Sequence, residues 1–284
     1  ITIFLFQDKI INQFIREANK QLNTPVKIGK IEVSVWRQFP KLSIVMRDVY
    51  VEDSHPGQYP LLTAEEVSFQ LNLIDVWNEN YIIHGLQIRD SETNLKINAK
   101  GENNYTVAKS TGKKETGAVS FELDRVKLKN TRVHYTDLSA AQEHTFTSKD
   151  LIASIQSTND LYTISVSGEV TTEKIKVNER SFLAGKSFQA ESKLVYDDAR
   201  KILFIKPSQL QLKSAEFSVS GEYGWKGKNS IDLTTEAKNA DIQTLLSLLP
   251  ESASKSLEQY QSKGDVYFKA KLKGEISSSR SPSL

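Results

Sequence analysis

From Val26 to Ile276, apolar residues recur at every second position of this chain. Successive strand side chains point to opposite faces, so a period of two dictates a sheet with one apolar face and one wet face. A helix would need a period near 3.6, which only short stretches show. The question this raises is what lies against the apolar face.

Composition narrows the answer. The 284 residues are 38% hydrophobic, or about 39% when thirteen glycines are counted in place of ten tyrosines. A typical globular domain sits at roughly 45–50% on that count. The chain is too apolar and too patterned to be disordered, yet thin for two sheets over a thick core. A single curved layer fits this deficit, and a sandwich with a small core fits it nearly as well. With 37 basic and 35 acidic residues, the net charge of +2 gives no electrostatic reason to expect nucleic acid as a partner. The absence of cysteine excludes disulfides, thiolate metal sites and cysteine nucleophiles.

The uncharged stub Ile1–Phe6 reads either as the last turns of a transmembrane helix or signal anchor, or as a buried strand. Ile11, Phe14, Ile15, Ala18 and Leu22 then predict an amphipathic helix over about 8–22, stopped by Pro25. Strands follow, with one-residue slips at Gly29-Lys30 and after Met46 that read as bulges. Val67, Phe69, Leu71 and Leu73 form a clean strand, and 75–80 reads as a short helical turn. Separate strands are expected at 82–89 and 93–99, 120–129 and 132–136, and 202–205 and 209–213. The polar stretch 110–117 is a loop or linker. Near the end, Ile242, Leu245, Leu246, Leu248 and Leu249 predict a helix capped by Asn239 or Asp241. A second short helix is expected at 252–260, before a last strand bearing Val266, Phe268, Ala270 and Leu272. The polar tail reads as though the sheet continued beyond it.

Nothing reads as an assembled catalytic or metal site. His55, His84, His134 and His144 are scattered without metal-ligand spacing. Asp53-Ser54-His55 sits at a Pro-Gly turn and reads as turn chemistry rather than a triad. Glu65-Glu66 and Asp197-Asp198 are adjacent on strands, where neighbours face opposite ways. Gly221–Trp225 lacks the lysine and helix of a phosphate loop. Tyr223, Trp225 and Lys226 suggest base stacking less well than sheet packing. The expectation is a non-enzyme without cofactor or metal.

Residues 39–53, FPKLSIVMRDVYVED, resemble the N-terminal signature of the AsmA family of membrane-anchored envelope proteins. Phe39, Pro40, Leu42, Ile44, Asp48, Val49, Val51 and Asp53 carry the likeness, followed by Trp77, Ile88-Arg89-Asp90, Gly101, Asn104 and Tyr105. The stretch from Asp241 to Pro250, then Tyr260, Gly264 and Val266–Phe268, is similar to the helical insertion and following strand of that family. The resemblance departs at the membrane helix, which is almost entirely lacking here, and at the C-terminal region, which reads as truncated. It implies a mainly β fold: a long antiparallel, strongly curved sheet forming a gutter-like hydrophobic groove, with an N-terminal amphipathic helix and a helical insertion near 241–260. The implied organisation is 1–24 anchor end and helix, 25–109 AsmA-like β region, 110–118 loop and 119–284 continuing groove.

The function so implied is lipid handling in the periplasm by a protein anchored to the inner membrane through an upstream helix. The expected lipid-binding residues are Val67, Phe69, Leu71, Leu73, Phe217, Val219, Val266, Phe268 and Leu272, with phospholipid or another acyl lipid as partner. The rival expectation is an assembly factor for outer-membrane proteins acting through free strand edges. A packed core made of the same residues is the plain structural alternative.

Overall fold

The computed structural model describes residues 22–34, 41–55, 57, 59–78, 81–107, 119–121, 125–158, 160–225, 229–248 and 264–276, and residues 16 and 19. The first strands are β1 (Val26–Ser34), β2 (Lys41–Glu52), β3 (Pro60–Asn72), β4 (Tyr81–Ile97), β5 (Val119–Phe121) and β6 (Val126–Asp137). Then come β7 (Gln142–Thr158), β8 (Leu161–Val177), β9 (Arg180–Phe182), β10 (Lys186–Asp197) and β11 (Ile202–Leu212). The last are β12 (Ala215–Gly224), β13 (Asn229–Asp241) and β14 (Asp265–Ile276). Short helices lie between them at α1 (Leu73–Trp77) and α2 (Ile242–Leu246). The chain is therefore mainly β, one large mixed sheet paired in chain order, with β5 parallel to β4 and β9 on β8. Residues 1–96 and 103–131 make one compact unit; 97–102 and 132–284 make the other.

In the first unit, antiparallel pairing lines up apolar rows across strands. One row is Ile31, Met46, Val67 and Ile88; another is Val33, Ile44 and Phe69. These side chains form a buried cluster in which Leu42, Ile44 and Leu71 are each 1% exposed. The other face carries Lys30, Arg47, Glu66 and Arg89 in a single row. Arg47 bridges Glu32 at 3.3 Å and Glu66 at 3.1 Å there.

A transverse seam crosses this unit. Met46 and Val49 lie three apart yet join the same cluster, as do Ala64 and Val67. Strict alternation would send one of each pair to the wet face. Each strand instead carries one additional residue at the same level: Gly29, Asp48, Glu65 and Asp90 fall between matched pairs on either side. Asp48 and Asp90 take φ of 53° and 50°, a left-handed conformation that Asp and Asn tolerate best among residues with a side chain. Asn130, at φ 48°, donates to Asp90 Oδ1 at 2.9 Å in the same unit. A Cβ on Gly29 would meet the Asp48 side chain at 3.0 Å, a tight contact that glycine avoids. The expected slips are thus present, but not as bulges: both strands gain a residue together, so the β1–β2 register never shifts.

In the second unit the sheet is a run of antiparallel hairpins. Two reversals share one device: Asp137 Oδ1 accepts from Ala140 N, and Asp197 Oδ1 accepts from Arg200 N, each at 2.9 Å. Ala141 and Lys201 then take positive φ to close the turn. Pro207, which has no N–H, lies where β11 skips pairing with both β10 and β12. Gly221 (φ 144°) lies so close to β13 that a Cβ would sit 2.0 Å from the Asp232 carbonyl. A second buried cluster unites Phe188, Leu212, Ala215, Phe217, Ala237 and Ala240, and Leu245 and Leu248 at α2 pack on it.

Several expected boundaries change. The pairs of strands anticipated around Asp90, Asn130 and Pro207 are single strands, β4, β6 and β11, which continue through these residues. Asp, Asn and Pro signal turns in sequence, but here they occupy in-strand irregularities. Leu73 opens α1 instead of ending β3, because Asn72 Oδ1 accepts from Ile74 N at 2.9 Å and turns the chain. The expected N-terminal helix, apart from helical Arg16 and Asn19 and from Leu22, lies outside the described residues, as do the stub, 110–118 and 252–260. Among the described residues no helix is long and apolar enough to cross a membrane.

Candidate functional site

The apolar face of the second unit is built by register. Ile155, Ile164, Leu194, Ile205, Gly221, Leu233 and Leu272 pair in succession from β7 through β8, β10, β11, β12 and β13 to β14. All seven are partly buried, and none reaches full burial or full exposure. Two residues along each strand lies a row of small side chains, including Ala153, Val166, Val219 and Ala270. In that row the hydroxyls of Ser192 and Ser208 bond one another at 2.9 Å, and Thr235 lies between Val219 and Ala270. The next row, with Ala190, Leu210, Phe217, Ala237 and Phe268, runs into the cluster that Leu245 and Leu248 join. Coverage therefore grades along the strands, from closed beside α2 to half-open at the aliphatic row.

The opposite face of β12–β14 is ionic. Lys273 and Lys271 reach Asp232 at 2.8 and 3.1 Å, and Lys269 reaches Glu236 at 2.8 Å. These ammonium groups, by hydrogen bonding first and charge second, hold both carboxyls below their ordinary range. One strand thus presents lysines to water and Val266, Phe268, Ala270 and Leu272 to the apolar side.

The nine expected lipid-binding residues divide between the units. Val67, Phe69 and Leu71 are 7%, 2% and 1% exposed inside the first unit's cluster, and Leu73 packs against it. Phe217 is 4% exposed in the second unit, edge-on to Phe188 at 6.5 Å. Val219, Val266, Phe268 and Leu272 are partly buried on the second unit's face. Sequence reasoning missed Ile155, Ile164, Leu194, Ile205 and Leu233. Each lies in its own alternating stretch, and pairing those stretches as consecutive hairpins would have aligned them.

The polar candidates serve the fold. Asp53 Oδ1 accepts from the backbone N–H of His55 at 3.1 Å, as a turn requires, and its Oδ2 accepts from Asn104 Nδ2 at 3.0 Å. Asn104 also reaches Asn94 O and Lys96 N, fastening the 103–107 segment to β4. His134 lies against Thr145 and His144 against Gln142. Among the described residues no three histidines and carboxylates converge as metal ligands would. No protein-family model, curated protein or solved structure matches this chain.

Proposed function

We propose that this protein is a non-enzymatic lipid handler whose β7–β14 face seats the acyl chains of a phospholipid. One observation carries the reading: a row over seven successive strands, aliphatic on every strand but β12, where Gly221 stands, in which every member stays partly exposed. Six inter-strand steps extend it over about 29 Å. Along the strands the face spans about 20 Å from Tyr162 to Gly168, against roughly 15 Å for half of a bilayer's hydrocarbon core. Covering such a row with hydrocarbon removes apolar surface from water without demanding any polar partner.

In this reading the first unit's cluster is scaffold, because its members already touch one another. The resemblance of Phe39–Asp53 to the AsmA family supports the same function, and the periplasmic, membrane-anchored setting rests on that resemblance alone. The purified chain is expected to move fluorescent phospholipid between vesicles in proportion to its concentration. No transfer above the spontaneous rate, with crosslinking that captures outer-membrane barrel proteins instead of lipid, would favour the strand-edge assembly reading.

A further inference from the structure

One end of the apolar face carries a different chemistry. Tyr162 and Tyr196 pair across β8 and β10, and Leu203 and Tyr223 continue that row two residues beyond the aliphatic one. The rings join up: Tyr162 stacks on Tyr196 at 5.9 Å, Tyr196 on Trp225 at 5.3 Å, and Tyr223 tilts against Trp225 at 5.8 Å. Tyr162 is 36% exposed at the end of this stack. Charge follows immediately. Lys201 Nζ lies 3.4 Å from Tyr196 Oη and 2.6 Å from Asp198 Oδ1, and Tyr196 Oη also donates to Asp198.

Along the strands the face therefore passes from aliphatic, to aromatic with polar tips, to a paired cation and anion. An ordinary stack of packed aromatics would not need that order. Tyrosine and tryptophan suit a boundary where one end is apolar and the other wet. An ester-linked amphiphile has the same sequence of polarity from tail to head. The Lys201–Asp198 pair offers one positive and one negative group, which complements a headgroup carrying both a phosphate and an ammonium.

We propose that Tyr162, Tyr196, Tyr223 and Trp225, with Lys201 and Asp198, form the headgroup end of the lipid site and select a zwitterionic glycerophospholipid. This rests on the lipid-handling reading and adds orientation and headgroup class to it. The glycerol esters lie at the aromatic row, the phosphate near Lys201 and the ammonium near Asp198, and the acyl chains run toward Phe217.

The test uses Trp225 as its own reporter. In the full chain carrying Trp36→Phe and Trp77→Phe, Trp225 is the sole tryptophan. The protein is loaded from vesicles of phosphatidylcholine brominated at acyl carbons 6,7 or 11,12, separated from them, and assayed for bound phosphorus. The expected result is bound phospholipid with Trp225 quenched at least two-fold more by the 6,7 than by the 11,12 lipid. Bound phosphorus with equal quenching, or stronger quenching by the 11,12 lipid, overturns the orientation and leaves the lipid reading standing. No bound phosphorus overturns both. Lys201→Glu, at a partly exposed position, is expected to lower phosphatidylcholine retention several-fold while leaving diacylglycerol retention unchanged. An equal loss of both lipids, or of neither, overturns the headgroup assignment.

Discussion

Asn104 has no exposed surface, and its amide is used in full. It donates to Asp53 and to the Asn94 carbonyl while its oxygen accepts from Lys96 N. Removing such a hub takes hydrogen bonds from the Lys96 N–H, the Asn94 carbonyl and Oδ2 of Asp53, a residue itself 2% exposed. Asn104→Ala is expected to lower the unfolding free energy by about 1–3 kcal/mol, read from urea denaturation. The proximity of Asp53 and His55, which suggests chemistry in sequence, resolves at this scale into a turn. His55 contributes its backbone N–H to the carboxylate, and Asn104 takes the other oxygen.

At the scale of elements, β14 combines both halves of the account. Its lysines pair with Asp232 and Glu236 on the wet face, and its apolar residues line the other. The carboxyls of Asp232, Glu236 and, on β7, Glu143 are held below their ordinary values by hydrogen bonds from lysine. A carboxylate whose folded pKa is depressed stabilises the fold above its unfolded pKa, near 4, and loses that contribution as pH falls through the lower folded value. Burial also holds the His144 imidazole below its ordinary value, so the fold loses stability as pH falls through about 6.5, where the unfolded chain takes up that proton first. The urea midpoint is therefore expected to slip below about pH 6.5 and to decline further below about 4, the second step modest because the carboxylate pairs are exposed.

The faces of the two units make a second contrast between elements. Phe69 is 2% exposed in the packed cluster of β1–β4, whereas Leu233 is partly buried in the aliphatic row. Phe69→Asp is expected to destabilise the protein by more than about 4 kcal/mol, through lost packing and a buried carboxyl. Leu233→Asp is expected to keep the circular dichroism spectrum and a cooperative melt while phospholipid retention falls at least five-fold. Loss of folding in both variants would mean that the second face is core.

For the whole molecule, the alternating rhythm made the mainly β architecture legible, because a period of two has one structural meaning. It also located the helix after Asp241, whose carboxylate caps Thr244 as the residue type suggests. What escaped was non-local. Asp90, Asn130 and Pro207 look like strand ends because turn residues are read locally, and only neighbouring strands reveal that they sit within β4, β6 and β11. Leu194 and Leu233 are unremarkable alternating residues until hairpin pairing sets them in one row. Tyr196 and Trp225 stack although 28 other residues separate them in the chain. No local pattern encodes that contact.

Whether the β7–β14 face holds acyl chains is read directly by native mass spectrometry of the purified chain, released gently from its expression host. The expected spectrum has a population heavier than the polypeptide by the mass of a phospholipid, which collisional activation releases intact. A spectrum holding only the bare 32.0 kDa polypeptide, unchanged after incubation with phospholipid vesicles, would contradict it.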